Sequence, residues 1–522
     1  MAISKDAIDQ FLGKIYAEPP ACKGMPTDAL HELIYNCTGT EFIEKTPLRL
    51  HQLEGLAFAL YMRRAFLFYW MRLGKTIISL SWAEHLKRAN LTKRKGLILA
   101  HATIGVTEWE AQVAEHSNLI TRSVRSGAAM EDDFLDACVS ECDLIIMSRF
   151  TMQEMFTEKR PNRKGMPTLY PVHDLISIAA DFFDHCVVDE THLYSGEYGL
   201  PFTLASALTK QCAFRLGLTG TPVGRDPYVL WSQAHLVDRG EHFGYNYAFF
   251  ETAFGKNIFS PFTKTNRTYV FDKKKMDLFQ YKLDSFSLAY GKGEVKTASV
   301  EANVVKLKMS TEQMKAYQDT LDKTFKLKGQ DEVELRSMFH KLRQIASGYL
   351  PFTDGQGRLR TVHFESAKLA WLTAFVAELP AGCPCLIFHE YIHSGELIAK
   401  TLKAAKVTFV ELRGDTADPD ASIAAYRSGK AQFLVANSQK GGTAINLPET
   451  EYLLFFESPV DPRIREQAAS RPMARELDRS LTLDDLVCAP IEERILGFIV
   501  EGQDLLKRLL AGGKKTAKEL FS

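Results

Sequence analysis

Residues 69–80 read YWMRLGKTIISL. Gly74-Lys75-Thr76 followed by an apolar run has the form of a phosphate-binding turn that opens a helix. The residues just before it, Phe66-Leu67-Phe68-Tyr69-Trp70, suit a buried strand feeding such a turn. The common pattern, G-x-x-x-x-G-K-[ST], places a glycine where this chain has Tyr69, with Trp70, Met71 and Arg72 following. At a helix N-terminus the free backbone N–H groups and the dipole favour phosphate. Lys75 would then reach the β- and γ-phosphates, and Thr76 would bind Mg²⁺ through its hydroxyl. Taken alone, the tripeptide is equally a lysine at a solvated turn.

The surrounding pattern decides the fold class. GLILA (96–100), DLIIMS (143–148), HCVVDE (185–190) and FRLGLTG (214–220) are short apolar runs ending in polar or glycine residues. Helix-period stretches such as 76–89 and 106–116 lie between them. Strands alternating with helices predict an α/β domain over 45–240, a parallel sheet with helices on both faces. Residues 241–345 change character: 273–290 and 311–350 are charged and helical in period, predicting a helical insert. Strand-like runs return at CLIFHE (385–390), VTFVEL (407–412), QFLVAN (432–437) and YLLFFE (452–457), predicting a second α/β domain over 346–490. A charged C-terminal helix is expected over 491–522. Residues 1–44 read as an N-terminal helical extension too short for its own core.

Composition sets limits. Lys+Arg and Asp+Glu both number 64, so net charge does not point to a partner, and a local basic stripe stays compatible with nucleic acid. Basic clusters occur at 87–95, 158–165, 273–275 and 512–518; the second lies in a Pro/Gly-containing insert and is the strongest candidate for a DNA-facing loop. No apolar run approaches the ~20 residues of a membrane span. The nine cysteines form no C-x-x-C pair and read as reduced thiols. Acidic residues near the N-terminus argue against a signal or transit peptide.

The stretch CVVDETH (186–192) adds chemistry. Two adjacent carboxylates ending an apolar strand are costly unless they hold a metal or a proton. Asp189 would hold Mg²⁺, and Glu190 would orient and deprotonate an attacking water.

With these residues in place, Asp189-Glu190-Thr191-His192 resembles the D-E-x-H box of superfamily-two helicases. GLTGTP (217–222) resembles their third motif, which implies that His192, Thr219 and Thr221 couple the ATP state to nucleic-acid contact. LRLHQLEGLAF (48–58) resembles the segment upstream of the phosphate loop, where Gln52 would read the adenine edge. Leu73, Gly74, Lys75 and Thr76 complete the implied nucleotide cradle. LILAHATIGVTEWEAQV (97–113) resembles the stretch ending near the nucleic-acid backbone; its Trp109 is either core or close to DNA. In the second domain, 385–402 resembles motif four, NSQKGGTAINL (437–447) motif five, and DPRIREQAASR (461–471) motif six, including Gln467. APIEERIL (489–496) resembles the T-I-E-E-R-I that follows. Together these are similar to the switch/sucrose-non-fermenting (Snf) branch of DNA translocases.

The resemblance implies two RecA-like parallel-sheet lobes of a P-loop NTPase. It implies ATP and Mg²⁺ as cofactors, and an ATPase motor moving on DNA, duplex favoured over RNA, as a soluble cytoplasmic monomer of bacterial or bacteriophage type. The alternatives are a strand-separating or annealing helicase on DNA or RNA, and a nucleotide-gated binding module with weak hydrolysis. Departures from the family pattern stand at Tyr69 and Trp70, where it has acids, and at Arg72, Ala444 and Ser470, where it has glycine. Arg471 matches the first of two arginines that reach the γ-phosphate in the family. The second slot holds Ala474, and Arg475 serves only if the turn shifts by one residue. If the chain needs φ > 0 at Arg72, the side chain there costs on the order of 1 kcal/mol; otherwise Arg72 adds positive charge beside the phosphates.

Overall fold

The computed structural model describes residues 4–505 apart from 102, 163–164, 195, 197–198, 221–226, 260–266, 292, 296–298, 327–331, 415, 439–445, 473–479 and 503–504. The chain divides into two compact units, Met1–Val295 and Lys296–Ser522.

The first unit is built on one sheet of β1 (Arg64–Tyr69), β2 (Lys95–Ala100), β3 (Thr121–Val124), β4 (Leu144–Ser148), β5 (Phe183–Val188), β6 (Phe214–Thr219) and β7 (Ser287–Tyr290). The strands lie in the order β7-β1-β6-β5-β2-β4-β3, and every pairing is parallel. Successive residues of a strand face opposite sides of a sheet. Along β1, Phe66 and Phe68 enter one core, while Ala65, Leu67 and Tyr69 enter the other. Along β2, Leu97 and Leu99 join the first, and Ile98 and Ala100 the second. Burial on both faces is why these runs are apolar without alternation. Three helices matter for the site: α1 (Leu50–Met62), α2 (Lys75–Arg88) and α3 (Thr103–His116).

The N-terminal residues are integral to this unit. Cys22, Leu30 and Ile34 are buried in the same core as Leu53, Leu56 and Leu80. The buried Glu54 of α1 accepts the Gly24 N–H at 2.6 Å and the hydroxyl of Tyr290 at the end of β7.

The segment expected as a helical insert, 241–345, is split between the units. Met276–Asp284 is helical, but Ser287–Tyr290 pairs with Phe66–Tyr69 of β1. Gly255–Phe259 and Arg267–Phe271 form an antiparallel ribbon, and Ser299–Lys306 belongs to the sheet of the second unit. A four-residue strand following directly on a helix is too short to reveal a period of two. The basic insert near 158–165 is also more regular than expected: Thr157–Pro161 and Pro167–Pro171 pair as an exposed antiparallel ribbon.

The second unit carries β8 (Ser299–Lys306), β9 (Cys385–His389), β10 (Phe409–Leu412), β11 (Phe433–Asn437), β12 (Tyr452–Phe455) and β13 (Ser480–Val487), in the order β8-β13-β12-β9-β11-β10. All pairings are again parallel. The helices Thr311–Lys326, Glu332–Ala346 and Pro490–Val500 bury Leu321, Phe339, Leu342 and Ile495 in a core of their own. Lys368, fully buried, pairs with Glu492 at 2.5 Å and donates to Phe456 O at 2.7 Å. Among the described residues no helix is long and apolar enough to cross a membrane, and none of the nine cysteines is in a disulfide.

Candidate nucleotide-binding site

The strand order places the sequence-predicted residues of the first unit at one edge of the sheet. The phosphate loop follows β1, Thr219 ends β6, and Asp189-Glu190 follow β5; β6 lies between the other two. All three sit at carboxyl ends of parallel strands, where open α/β sheets bind ligands.

The loop is held by α1. Leu73 O accepts from His51 Nε2 at 3.0 Å and from Gln52 Nε2 at 3.3 Å. Gln52 Oε1 in turn accepts the Arg49 N–H at 2.9 Å, closing a capping box at the start of α1. Gln52, read as an adenine contact, therefore has both heteroatoms engaged within the protein. Leu73 donates its N–H to Trp70 O at 3.3 Å, so its backbone is likewise tied to the loop. Burial holds the His51 imidazole below its ordinary range, against the raising effect of the bond to Leu73 O. Tyr69 donates its hydroxyl to His51 O at 2.6 Å and is fully buried. Where the family pattern has an acid, this chain thus has a core side chain pinning α1 to the strand that feeds the loop.

Gly74 has φ +83°, and a Cβ there would lie 2.1 Å from Gln52 Nε2, so conformation and space both require glycine. Arg72 has φ +67°. The left-handed turn that glycine supplies in the family pattern is kept, at a cost on the order of 1–2 kcal/mol for a side chain. We expect Arg72→Gly to be about 1 kcal/mol more stable than Arg72→Ala in denaturant unfolding, since both lose the side chain and only glycine relieves the turn. Equal stabilities would show that the backbone at this position is unstrained.

Lys75 donates to Tyr69 O at 3.0 Å and bears electrostatically on both Asp189 and Glu190. Asp189 and Glu190 form a tightly coupled pair. Burial, then the charge of Glu190, hold Asp189 above the ordinary carboxylate range, with Lys75 and the Trp109 N–H offsetting part of this. Burial also acts to raise Glu190, but the hydrogen bond from His192 and the charge of Lys75 outweigh it and hold Glu190 low. Glu190 also sits at φ +47°, a second non-glycine residue in the left-handed region. Such strain clusters at functional sites.

His192 connects two motifs. Its Nδ1 lies 3.2 Å from Glu190 Oε2 and 3.2 Å from the hydroxyl of the buried Thr219. Thr221 falls outside the described residues. Trp109 is 3% exposed, so of its two readings the core one is observed, with one addition. Its Nε1–H donates to Asp189 Oδ2 at 3.2 Å. No sequence signal exposed this contact between residues on different elements; the brace from His51 was accessible only as the neighbour of Gln52 in the capping box.

In the second unit, helix α4 (Pro462–Ser470) carries Gln467, and Arg471 follows at its C-terminal cap, accepting the Leu447 N–H on its carbonyl at 3.0 Å. Arg475 and Ala444 fall outside the described residues. Arg465, on the same helix, pairs with Asp485 at 2.5 Å and stacks its guanidinium 3.7 Å from the Phe455 ring centre. Asp485 is how the polar β13 enters the interior, and that cost concealed the strand in the sequence.

A parallel sheet with a left-handed Gly-Lys-Thr turn after one strand and a half-buried Asp-Glu pair two strands away is the nucleotide-binding lobe of a P-loop NTPase. The chain belongs to the SNF2-related family, whose domain matches residues 51–348. It is similar to YwqA of Bacillus subtilis (strain 168), a candidate ATP-dependent helicase/translocase, at 23% identity over 91% of this chain and 50% of that protein. It is also similar to the human chromatin-remodeling ATPase INO80, at 25% identity over 28% of this chain and 10% of that protein. The chain thus spans half the length of one of these relatives and a tenth of the other. Among solved structures, the Sulfolobus solfataricus SWI2/SNF2 ATPase core in complex with dsDNA aligns with 90% of this chain and 94% of that one, at 18% identity and a TM-score of 0.39.

Proposed function

We propose that the chain is an ATP-hydrolysing motor that moves on duplex DNA. The observation that carries this is the joining of the carboxylate pair to the third motif: one histidine nitrogen stands between Glu190 and Thr219. A hydrolytic site needs Glu190; a motor needs that site to respond to its track.

The donor set suits a nucleotide with Mg²⁺. Among the described residues no three His, Cys, Asp or Glu side chains converge as a metal cage, and nucleotide-bound Mg²⁺ takes only one or two protein ligands beside phosphates and water. Thr76 and Asp189 would hold it. Bound there, the ion would offset the negative charge that develops on the phosphate.

Lys75 reaches from the loop to the phosphates, leaving Tyr69 O. Ionised Glu190 orients the attacking water and accepts its proton, a demand that phosphoryl transfer keeps small because its transition state is loose. His192 holds the Glu190 carboxylate from one side. A shift of Thr219 on engaging nucleic acid moves His192 and thereby re-aims Glu190. Arg471 supplies positive charge to the γ-phosphate, and Gln467 and Thr221 take part in coupling.

The test is ATP turnover with duplex DNA, single-stranded DNA, forked DNA and RNA side by side, together with strand displacement. Duplex DNA is expected to stimulate turnover most, without displacing a strand. Strand displacement would favour the unwinding reading. Turnover that Lys75→Ala leaves unchanged, or an absence of stimulation by any nucleic acid, would end the motor reading. The nucleotide-gated alternative draws on Ala474 in the second arginine slot; it is the outcome if nucleotide alters DNA affinity while turnover stays absent.

A further inference from the structure

Trp109 lies on α3 with Val106 and Val113 on the same buried face, at 1%, 3% and 6% exposure for 106, 109 and 113. Spacings of three and four residues put these side chains on one stripe, so packing fixes the indole rather than leaving it to swing. A buried indole N–H requires an acceptor. Here the acceptor is a carboxylate oxygen, Asp189 Oδ2, at 3.2 Å. The other oxygen, Oδ1, accepts the Glu190 N–H at 3.0 Å. Asp189 N–H donates to Leu99 O at 3.1 Å, anchoring its backbone to the end of β2. Two donors from two elements thus define the plane of one carboxylate, and each oxygen keeps a lone pair for another partner.

We infer that Trp109 is a positioning residue for Asp189. It fixes the carboxylate plane so that the remaining lone pairs face the Mg²⁺ that accompanies the nucleotide. This rests on the reading that Asp189 holds that ion. Outer donors of this kind orient metal-binding side chains, and removing one costs about 10–100-fold in metal affinity. Trp109 therefore acts on the metal, not on the nucleotide as such. α3 forms most of the stretch, 97–113, whose resemblance places it toward nucleic acid, so a displacement of α3 reaches the metal-binding carboxylate through a single hydrogen bond.

The experiment uses the full chain and Trp109→Phe, which keeps an aromatic ring and loses the donor. Binding of N-methylanthraniloyl-ADP is followed by fluorescence, first in EDTA and then across a Mg²⁺ titration. The Mg²⁺ concentration at half-saturation is expected to rise at least about tenfold, with affinity in EDTA unchanged. An unchanged Mg²⁺ requirement, or equal losses with and without Mg²⁺, would reduce Trp109 to a packing residue and overturn the proposal. A wild-type protein whose nucleotide binding ignores Mg²⁺ would overturn both this inference and the metal role of Asp189. A second measurement does not depend on the stability of the phenylalanine variant. With five tryptophans in the chain, the ¹⁵N indole signal of Trp109 is separable, and Asp189→Asn is expected to shift it. A signal that does not move would show that the hydrogen bond is absent in solution.

Discussion

Glu190→Gln is expected to lower DNA-stimulated ATP turnover by about 10²–10⁴-fold, the usual worth of a positioned acid–base group, while leaving nucleotide bound. Glutamine keeps the shape of the side chain and can still accept from His192, so the loss falls on the charge and on the proton that the carboxylate would take. The neighbouring shifts make the expectation specific. His192 and Lys75 hold Glu190 in its ionised form against the cost of burial. Neutralising it relieves Asp189 of the adjacent negative charge that helps to raise its proton affinity. Single-turnover hydrolysis alongside N-methylanthraniloyl-ADP binding separates the two effects. Turnover within tenfold of wild type would remove Glu190 from the chemistry.

Arg471→Ala is expected to reduce turnover by about 10³-fold or more, in the range found when an arginine serving the γ-phosphate is lost. Arg465 provides the contrast on the same helix. It is nine-tenths buried against Asp485 and Phe455. Truncating it leaves Asp485 buried without its cationic partner, a loss of about 3–5 kcal/mol. Arg465→Ala should thus melt the second unit early, whereas the loss in Arg471→Ala should fall chiefly on catalysis. If Arg471→Ala turns over normally and Arg475→Ala does not, the turn has shifted by one residue and the second arginine is the one in use.

The sequence was most readable where chemistry demands a rare combination. Gly-Lys-Thr after an aromatic strand is ambiguous alone and gains its weight from Asp-Glu after an apolar strand, a pair that few other roles tolerate in that place. The strands carrying them were equally plain, since burial on both faces makes them apolar throughout. The strands β7, β8 and β13 were hidden for three different reasons: four residues are too few to show a period, an exposed edge is too polar, and two aspartates argue against an interior. The question at Arg72 could be posed from sequence and answered only by its φ of +67°. Trp109 and Asp189 are 80 residues apart, and only the folded sheet brings α3 to the end of β5. Gln52 shows the converse: its position was marked by the resemblance, but the bonds it makes run to Arg49 and Leu73.

The strand order has a consequence for how the protein is made. β1 is flanked by β6 and β7, both of which lie far downstream of it. Between Tyr69 and Phe214 the ribosome adds 145 residues, which takes about 7–29 s at roughly 5–20 residues per second. For that interval Phe66-Leu67-Phe68-Tyr69-Trp70 leaves the exit tunnel with neither lateral neighbour yet synthesised. An aromatic segment with both edges open is a template for pairing with other chains. Residues 22–34 and α1 are available to cover one face of β1 from the start, but nothing made early in synthesis pairs with its edges. Slowed initiation, lower growth temperature or a holding chaperone should therefore improve the yield of this protein more than any change to its finished surface.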